Sequence, residues 1–132
     1  MKVLVDTSVW IYFFRGREEI VKEIKKLLHQ RKIVITGIVV TELLQGVKNE
    51  KERKLLEEIF SYLPWIEPQK EDYFHAGIIG KELRSKGITI PVVDLLLGTM
   101  AIRRKYHIFT LDRHFKFIPG VKIYKEKQIL PE

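Results

Sequence analysis

The 132-residue chain contains no cysteine. That excludes a disulfide framework and any thiolate metal site, and it fits a reducing compartment. No stretch approaches the roughly 18 uninterrupted apolar residues of a membrane helix, and the first residues lack the basic-then-apolar layout of a secretory signal. The expectation is a cytoplasmic protein without a membrane partner. Asparagine occurs once, at Asn49. No internal repeat, low-complexity tract or long linker divides the chain, so one domain over residues 1–132 is expected, large enough to bury most of its apolar surface. Acidic groups are the minority, 17 against 24 Lys and Arg, for a net charge of +7. Such a balance suits a polyanionic partner. It also suits a solubilising Lys/Glu surface of the kind found in heat-adapted proteins.

What is present is an alternation of short apolar runs and helical patterns. Lys2-Val3-Leu4-Val5 reads as a buried strand, stopped by Asp6-Thr7-Ser8, and Val9 to Phe14 as an apolar helix closed by Arg15-Gly16. Ile20, Val21, Ile24, Leu27 and Leu28 form the stripe of an amphipathic helix over Arg17–Arg31. Ile33–Thr36 is a second strand, Ile38–Gly46 a short helix, and Val47–Leu63 a longer one with Leu55, Leu56, Ile59, Phe60 and Leu63 inward. Trp65-Ile66 between two prolines reads as an edge strand. Lys70–Lys86 reads as a helix with Tyr73, Phe74, Ile78, Ile79 and Leu83 inward and with Gly77 and Gly80 allowing close packing. Pro91 opens a helix, Val92–Ile102, that is apolar nearly all round. His107–Thr110 and Val121–Tyr124 complete the strands. The alternation predicts an α/β fold, a three-layer α/β/α sandwich around a mainly parallel sheet.

Four carboxylates stand in apolar surroundings. Asp6 and Asp112 end strands; Glu42 and Asp94 lie near the starts of helices. Taken singly, each has an ordinary explanation: Asp6 as a helix N-cap, Glu42 as a solvated residue, Asp94 as an acid favoured by a helix N-terminus. In a parallel sheet, however, strands end and the following helices begin at one edge, where ligands gather. Four carboxylates there repel one another and resist ionisation unless a cation is present. All-oxygen ligands suit Mg²⁺ or Mn²⁺, and such ions activate water against phosphodiesters.

These residues carry a family resemblance. Val5-Asp6-Thr7-Ser8-Val9-Trp10-Ile11, Val40-Thr41-Glu42-Leu43-Leu44-Gln45-Gly46, Ile90-Pro91-Val92-Val93-Asp94 and Ile108-Phe109-Thr110-Leu111-Asp112-Arg113-His114-Phe115 together resemble the PIN-domain ribonucleases, and within them the VapC-like toxins of toxin–antitoxin pairs. The resemblance covers essentially the whole chain. It implies a Mg²⁺- or Mn²⁺-dependent endoribonuclease that acts on RNA, forms a homodimer and is silenced by a cognate antitoxin. Asp6, Glu42 and Asp94 match the three core metal-binding acids, and Asp112 the fourth. Thr7 and Ser8 match hydroxyls beside the first acid, and Thr110 the hydroxyl before the fourth; these would orient carboxylates or water. Arg113, Arg15 and Lys48 are the candidates for holding phosphate. The aromatic group Trp10, Tyr12, Phe13 and Phe14 is the candidate dimer surface. After Asp94 the chain departs from the family's small residues with Leu95-Leu96-Leu97, which bears on packing.

Other classes fit less well. A haloacid-dehalogenase-like phosphotransferase needs a second Asp two residues after the first, where Ser8 stands. A receiver domain needs a neighbouring acid pair and a lysine ending a late strand, and neither is found. A PIN-fold nuclease of RNA processing without an antitoxin, or an RNA-binding module without a metal, would account for the positive charge; the latter leaves Asp94 without purpose. His29, His75 and His107 lack ligand spacing, and His114 reads as a solvated residue that could at most touch phosphate.

Overall fold

The structure, a computed structural model, describes residues 1–124; residues 125–132 of the expected single domain lie outside the described part. The elements are β1 (Val3–Val5), α1 (Thr7–Phe14), α2 (Glu18–His29), β2 (Ile33–Thr36), α3 (Gly37–Gln45), α4 (Glu50–Ser61), β3 (Trp65–Ile66), α5 (Lys70–Ser85), α6 (Val92–Arg104), β4 (His107–Phe109) and a 3-10 helix, Arg113–Phe117. The four strands form one sheet in the order β3-β2-β1-β4, and every pairing is parallel.

Every residue of β1 and β2 is buried, which requires helices on both faces of the sheet. Right-handed crossovers put α1–α4 on one face, as the chain steps from β1 to β2 to β3, and α5–α6 on the other, as it returns to β4. The fold is the expected three-layer α/β/α sandwich. On the first face Trp10 is fully buried and meets Phe60 of α4 edge-on, ring centroids 4.9 Å apart, with Phe13 and Phe14 around it. The aromatic group expected at a dimer surface is in this respect spent on the core. Its size is explained by the need to join α1 to α4.

On the second face α5 departs from its expected orientation. Tyr73, Phe74 and Ile78 are 58, 66 and 66 % exposed. Leu83 is buried as expected and Ile79 packs partly against the core, but Asp72 and Ala76 take the remaining inward places. Asp72 is wholly buried, accepting from Arg103 Nη1 at 2.6 Å and Arg104 Nη2 at 2.9 Å on α6, and from the Gln69 amide at 2.6 Å. Burial alone would raise this carboxyl; the hydrogen bonds from Arg104, the Gln69 amide and Arg103 overcome it and hold the group at about 2. Gly80 is the close approach between the two helices, since a Cβ there would meet Leu95 Cδ1 at 2.8 Å, while one at Gly77 would meet nothing. Gly98 serves the same end against Ile118.

Smaller differences complete the comparison. Leu55 is exposed. Pro91 caps α6 instead of forming its first residue. The expected strand Val121–Tyr124 is a single bridge between Ile108 and Ile123. Among the described residues no helix is long and apolar enough to cross a membrane.

Candidate active site

The sheet places the first acid. The parallel ladder continues one residue past β1, where the Asp6 amide donates to Phe109 O at 2.9 Å. Strand β1 lies between β2, which the chain reaches over one face, and β4, which it reaches over the other, so this edge is the switch point at which open α/β sheets bind ligands. Asp6 stands at the N-cap of α1 but makes no side-chain cap bond; its carboxylate turns to other partners. Ser8 Oγ donates to Asp6 Oδ2 at 2.8 Å and Thr110 Oγ1 donates to the same oxygen at 2.9 Å. Each hydroxyl in turn accepts a backbone amide: Ser8 from Leu111 at 3.0 Å, Thr110 from Asp112 at 2.9 Å. The start and the last third of the chain are thus stitched together through one carboxylate oxygen. Asp6 is only 6 % exposed, and burial raises its pKa, with the bonds from Ser8 and Thr110 offsetting part of the rise.

Glu42 is exposed on α3, since it faces outward while Val39 and Leu43 of the same helix face the core. It is nevertheless tied to the same corner, since Thr7 Oγ1 donates to Glu42 Oε1 at 2.7 Å. Asp94 lies in the first turn of α6. Its carboxyl is pushed up to about 6, first by burial, then by the charges of Asp6 and Asp112, against the opposing influence of His114. All four acids therefore belong to one electrostatic neighbourhood or are hydrogen-bonded into it.

The tightest convergence is not among the three foremost acids. Ligand atoms of Asp94, Asp112 and His114 lie within 4.8 Å of one another, and Asp6 and Glu42 stand outside that triangle. From sequence alone His114 reads as a solvated residue. In the structure its Nδ1 sits 3.1 Å from Asp112 Oδ1 and 3.4 Å from Asp94 Oδ2. Asp112 brings it there: as N-cap of the 3-10 helix, its Oδ1 accepts the His114 amide at 2.9 Å. The spacing Asp-x-His at a strand end is the signal that could have pointed to this.

The donors fit a divalent cation. Ligand atoms about 2.1 Å from one ion are about 3 Å apart when adjacent, and His114 Nδ1 stands 3.1 and 3.4 Å from the Asp112 and Asp94 oxygens. Burial raises Asp6, and burial with the charges of Asp6 and Asp112 raises Asp94 against the influence of His114, a setting that a cation would relieve.

The basic candidates separate into two places. Arg113 is exposed on the 3-10 helix, directly between Asp112 and His114. Arg15 and Lys48 line a groove of about 230 Å³ between α1, α3 and α4, whose wall includes Glu42 together with Ile11, Phe14 and Leu43.

Comparison with known proteins adds an independent line. The family model described as PIN domain matches residues 3–121. Ribonuclease VapC1 of Methanocaldococcus jannaschii is 27 % identical over 126 residues, covering 93 % of this chain and 87 % of that protein. Ribonuclease VapC11 of Mycobacterium tuberculosis is 28 % identical over 124 residues, 90 % of this chain and 92 % of the relative. Among solved structures, VapBC2 from Rickettsia felis bound to a DNA fragment from their promoter superposes with a TM-score of 0.80 at 26 % identity, covering 94 % of this chain and 98 % of that one.

Proposed function

The chain belongs to the PIN-domain family, and from that premise we propose that it is a Mg²⁺- or Mn²⁺-dependent endoribonuclease, the toxin of a toxin–antitoxin pair. The observation that carries the reading is the acid-rich corner of Asp6, Glu42, Asp94 and Asp112 at the sheet's switch point, with Asp94 held at about 6 by burial and neighbouring charge. The names of the similar proteins, ribonucleases VapC1 and VapC11 and the VapBC2 complex, support RNA as substrate and an antitoxin as partner. A module that only bound RNA would be disfavoured by such a corner, because partly buried carboxylates repel phosphate.

In this reading Asp6, Asp94 and Asp112 hold the cation, and Glu42 joins them from the α3 side. When bound, the ion supplies Lewis acidity that activates water and offsets charge on the phosphate under attack. Ser8 and Thr110 hold Asp6 Oδ2, and Oδ1, without a side-chain donor among the described residues, is the oxygen left for the ion. Thr7 fixes Glu42 in the same way. Arg113 holds a flanking phosphate beside Asp112, and Arg15 and Lys48 receive further backbone along the groove they share with Glu42. Unpaired RNA is the favoured substrate, since its backbone bends into a narrow cleft. The exposed face of α5, Tyr73, Phe74 and Ile78, is the surface for a homodimer.

The test is the chemistry of the cut ends. Incubation of a mixed RNA pool with Mg²⁺ or Mn²⁺ should give 5′-phosphate and 3′-hydroxyl ends, and neutralising Asp6 to Asn should abolish cutting. Products bearing 2′,3′-cyclic phosphate, or cutting that persists in excess chelator, would overturn the reading.

A further inference from the structure

His114 has a place in the site that its exposure disguises. Its Nδ1 bridges two carboxylate oxygens on different elements, Asp112 Oδ1 at 3.1 Å and Asp94 Oδ2 at 3.4 Å. The contact with Asp94 lies within hydrogen-bond reach, but the single N–H of an imidazole nitrogen cannot point squarely at both oxygens. Separations of this size to both are those of adjacent donors around one octahedral ion, about 3 Å. The ring is held by the turn itself, because the carboxylate it approaches also accepts the His114 amide at 2.9 Å. The backbone thus delivers the imidazole to the acids before any ion arrives.

We propose that His114 Nδ1 is a direct ligand of the divalent cation beside Asp94 and Asp112, and that it makes the site select Mn²⁺ over Mg²⁺. The inference rests on the metal-dependent reading above and adds to it a nitrogen donor and a metal preference. Mg²⁺ demands oxygen ligands and gives up water reluctantly. Mn²⁺, which opens the first-row transition series, is larger and takes a nitrogen donor beside carboxylates more readily than Mg²⁺ does. A site of carboxylates alone has no reason to prefer one over the other on donor type; a site with His114 does.

Binding, not activity, is the measurement. Titration of the full chain with Mn²⁺, followed by the electron paramagnetic resonance of the free ion, gives the Mn²⁺ affinity, and competition by Mg²⁺ gives the other. Wild type should favour Mn²⁺ by about tenfold or more, and electron spin echo of the bound Mn²⁺ should show ¹⁴N modulation from one imidazole. His114→Ala should weaken Mn²⁺ by roughly tenfold, remove the ¹⁴N modulation and leave Mg²⁺ within about threefold. His114→Asn, which returns an oxygen near the Nδ1 position, should move the preference toward Mg²⁺. The side chain is 46 % exposed, so both variants are expected to fold, checked by far-ultraviolet circular dichroism. An unchanged Mn²⁺/Mg²⁺ ratio in His114→Ala, or ¹⁴N modulation that survives it, overturns the inference while leaving the metal-dependent nuclease intact. Wild type that binds neither ion overturns both.

Discussion

Replacing Asp94 with asparagine should stabilise the metal-free protein while ending its response to metal. The Asp94 carboxyl, ordinarily near 3.8, is held at about 6 in the fold. The folded state therefore binds this proton more tightly than the unfolded state, and stability falls as pH rises from about 3.8 to 6. At pH 7.5 the group is ionised in both states and the whole penalty is present. At about 1.4 kcal/mol for each pH unit between the two values, it comes to roughly 3 kcal/mol. Asparagine keeps the shape and removes the charge but weakens the contact with His114, worth about 1 kcal/mol. A net gain of about 1–3 kcal/mol follows, a rise in Tm of roughly 3–12 °C for a domain of this size. Thermal and urea unfolding in chelator should show the gain at pH 7.5 and its loss near pH 4. Added Mn²⁺ should stabilise wild type by mass action and leave Asp94→Asn unmoved. A variant no more stable than wild type at pH 7.5 without metal, or one whose advantage is as large at pH 4, would refute the reasoning.

Two further outcomes are expected. Asp72→Ala leaves Arg103 and Arg104 without their shared buried partner and should cost about 3–5 kcal/mol in urea unfolding. In wild type the Asp72 carboxyl sits at about 2, below its ordinary 3.8, so its contribution of roughly 2 kcal/mol is complete above pH 4 and disappears as pH falls through 2; an acid titration in which wild type and Asp72→Asn lose stability in parallel would contradict this. Phe74→Glu together with Ile78→Glu should leave the domain folded and convert a dimer to a monomer at tens of micromolar in light scattering, whereas a monomeric wild type would remove α5 as an interface.

The parts of the fold that were legible in the chain are those dictated by local chemistry. Val3–Val5 and His107–Phe109 are apolar runs ended by polar residues, and each is a strand that terminates at the site. Helix α6, uncharged apart from Asp94 before its basic end, is buried as its composition demands. What escaped was decided by partners far along the chain. In α5 the apolar stripe pointed to Tyr73, Phe74 and Ile78, but Asp72 turns inward because Arg103 and Arg104 on α6 neutralise it. Swapping a charge into the core and three large apolar groups out of it cannot be read from one helix. Glu42 faces out while its apolar neighbours face the core, and the place of His114 was hidden because a turn of two residues, not any periodicity, sets its direction.

The bond from Thr110 Oγ1 to Asp6 Oδ2 joins residues 104 positions apart, and that separation has a consequence in time. A ribosome working at about 5–20 residues per second makes Asp6 and Ser8 roughly 5–20 s before it makes Thr110. Until β4 emerges, β1 has one edge unpaired and Asp6 lacks both the Phe109 carbonyl that anchors its backbone and the hydroxyl of Thr110. A chain that stops before Thr110 lacks that bond and, with it, Asp112 and His114, two of the groups proposed to hold the ion. For a molecule proposed to cut RNA, the order of synthesis withholds part of the acidic corner until this later stretch of the chain has been made.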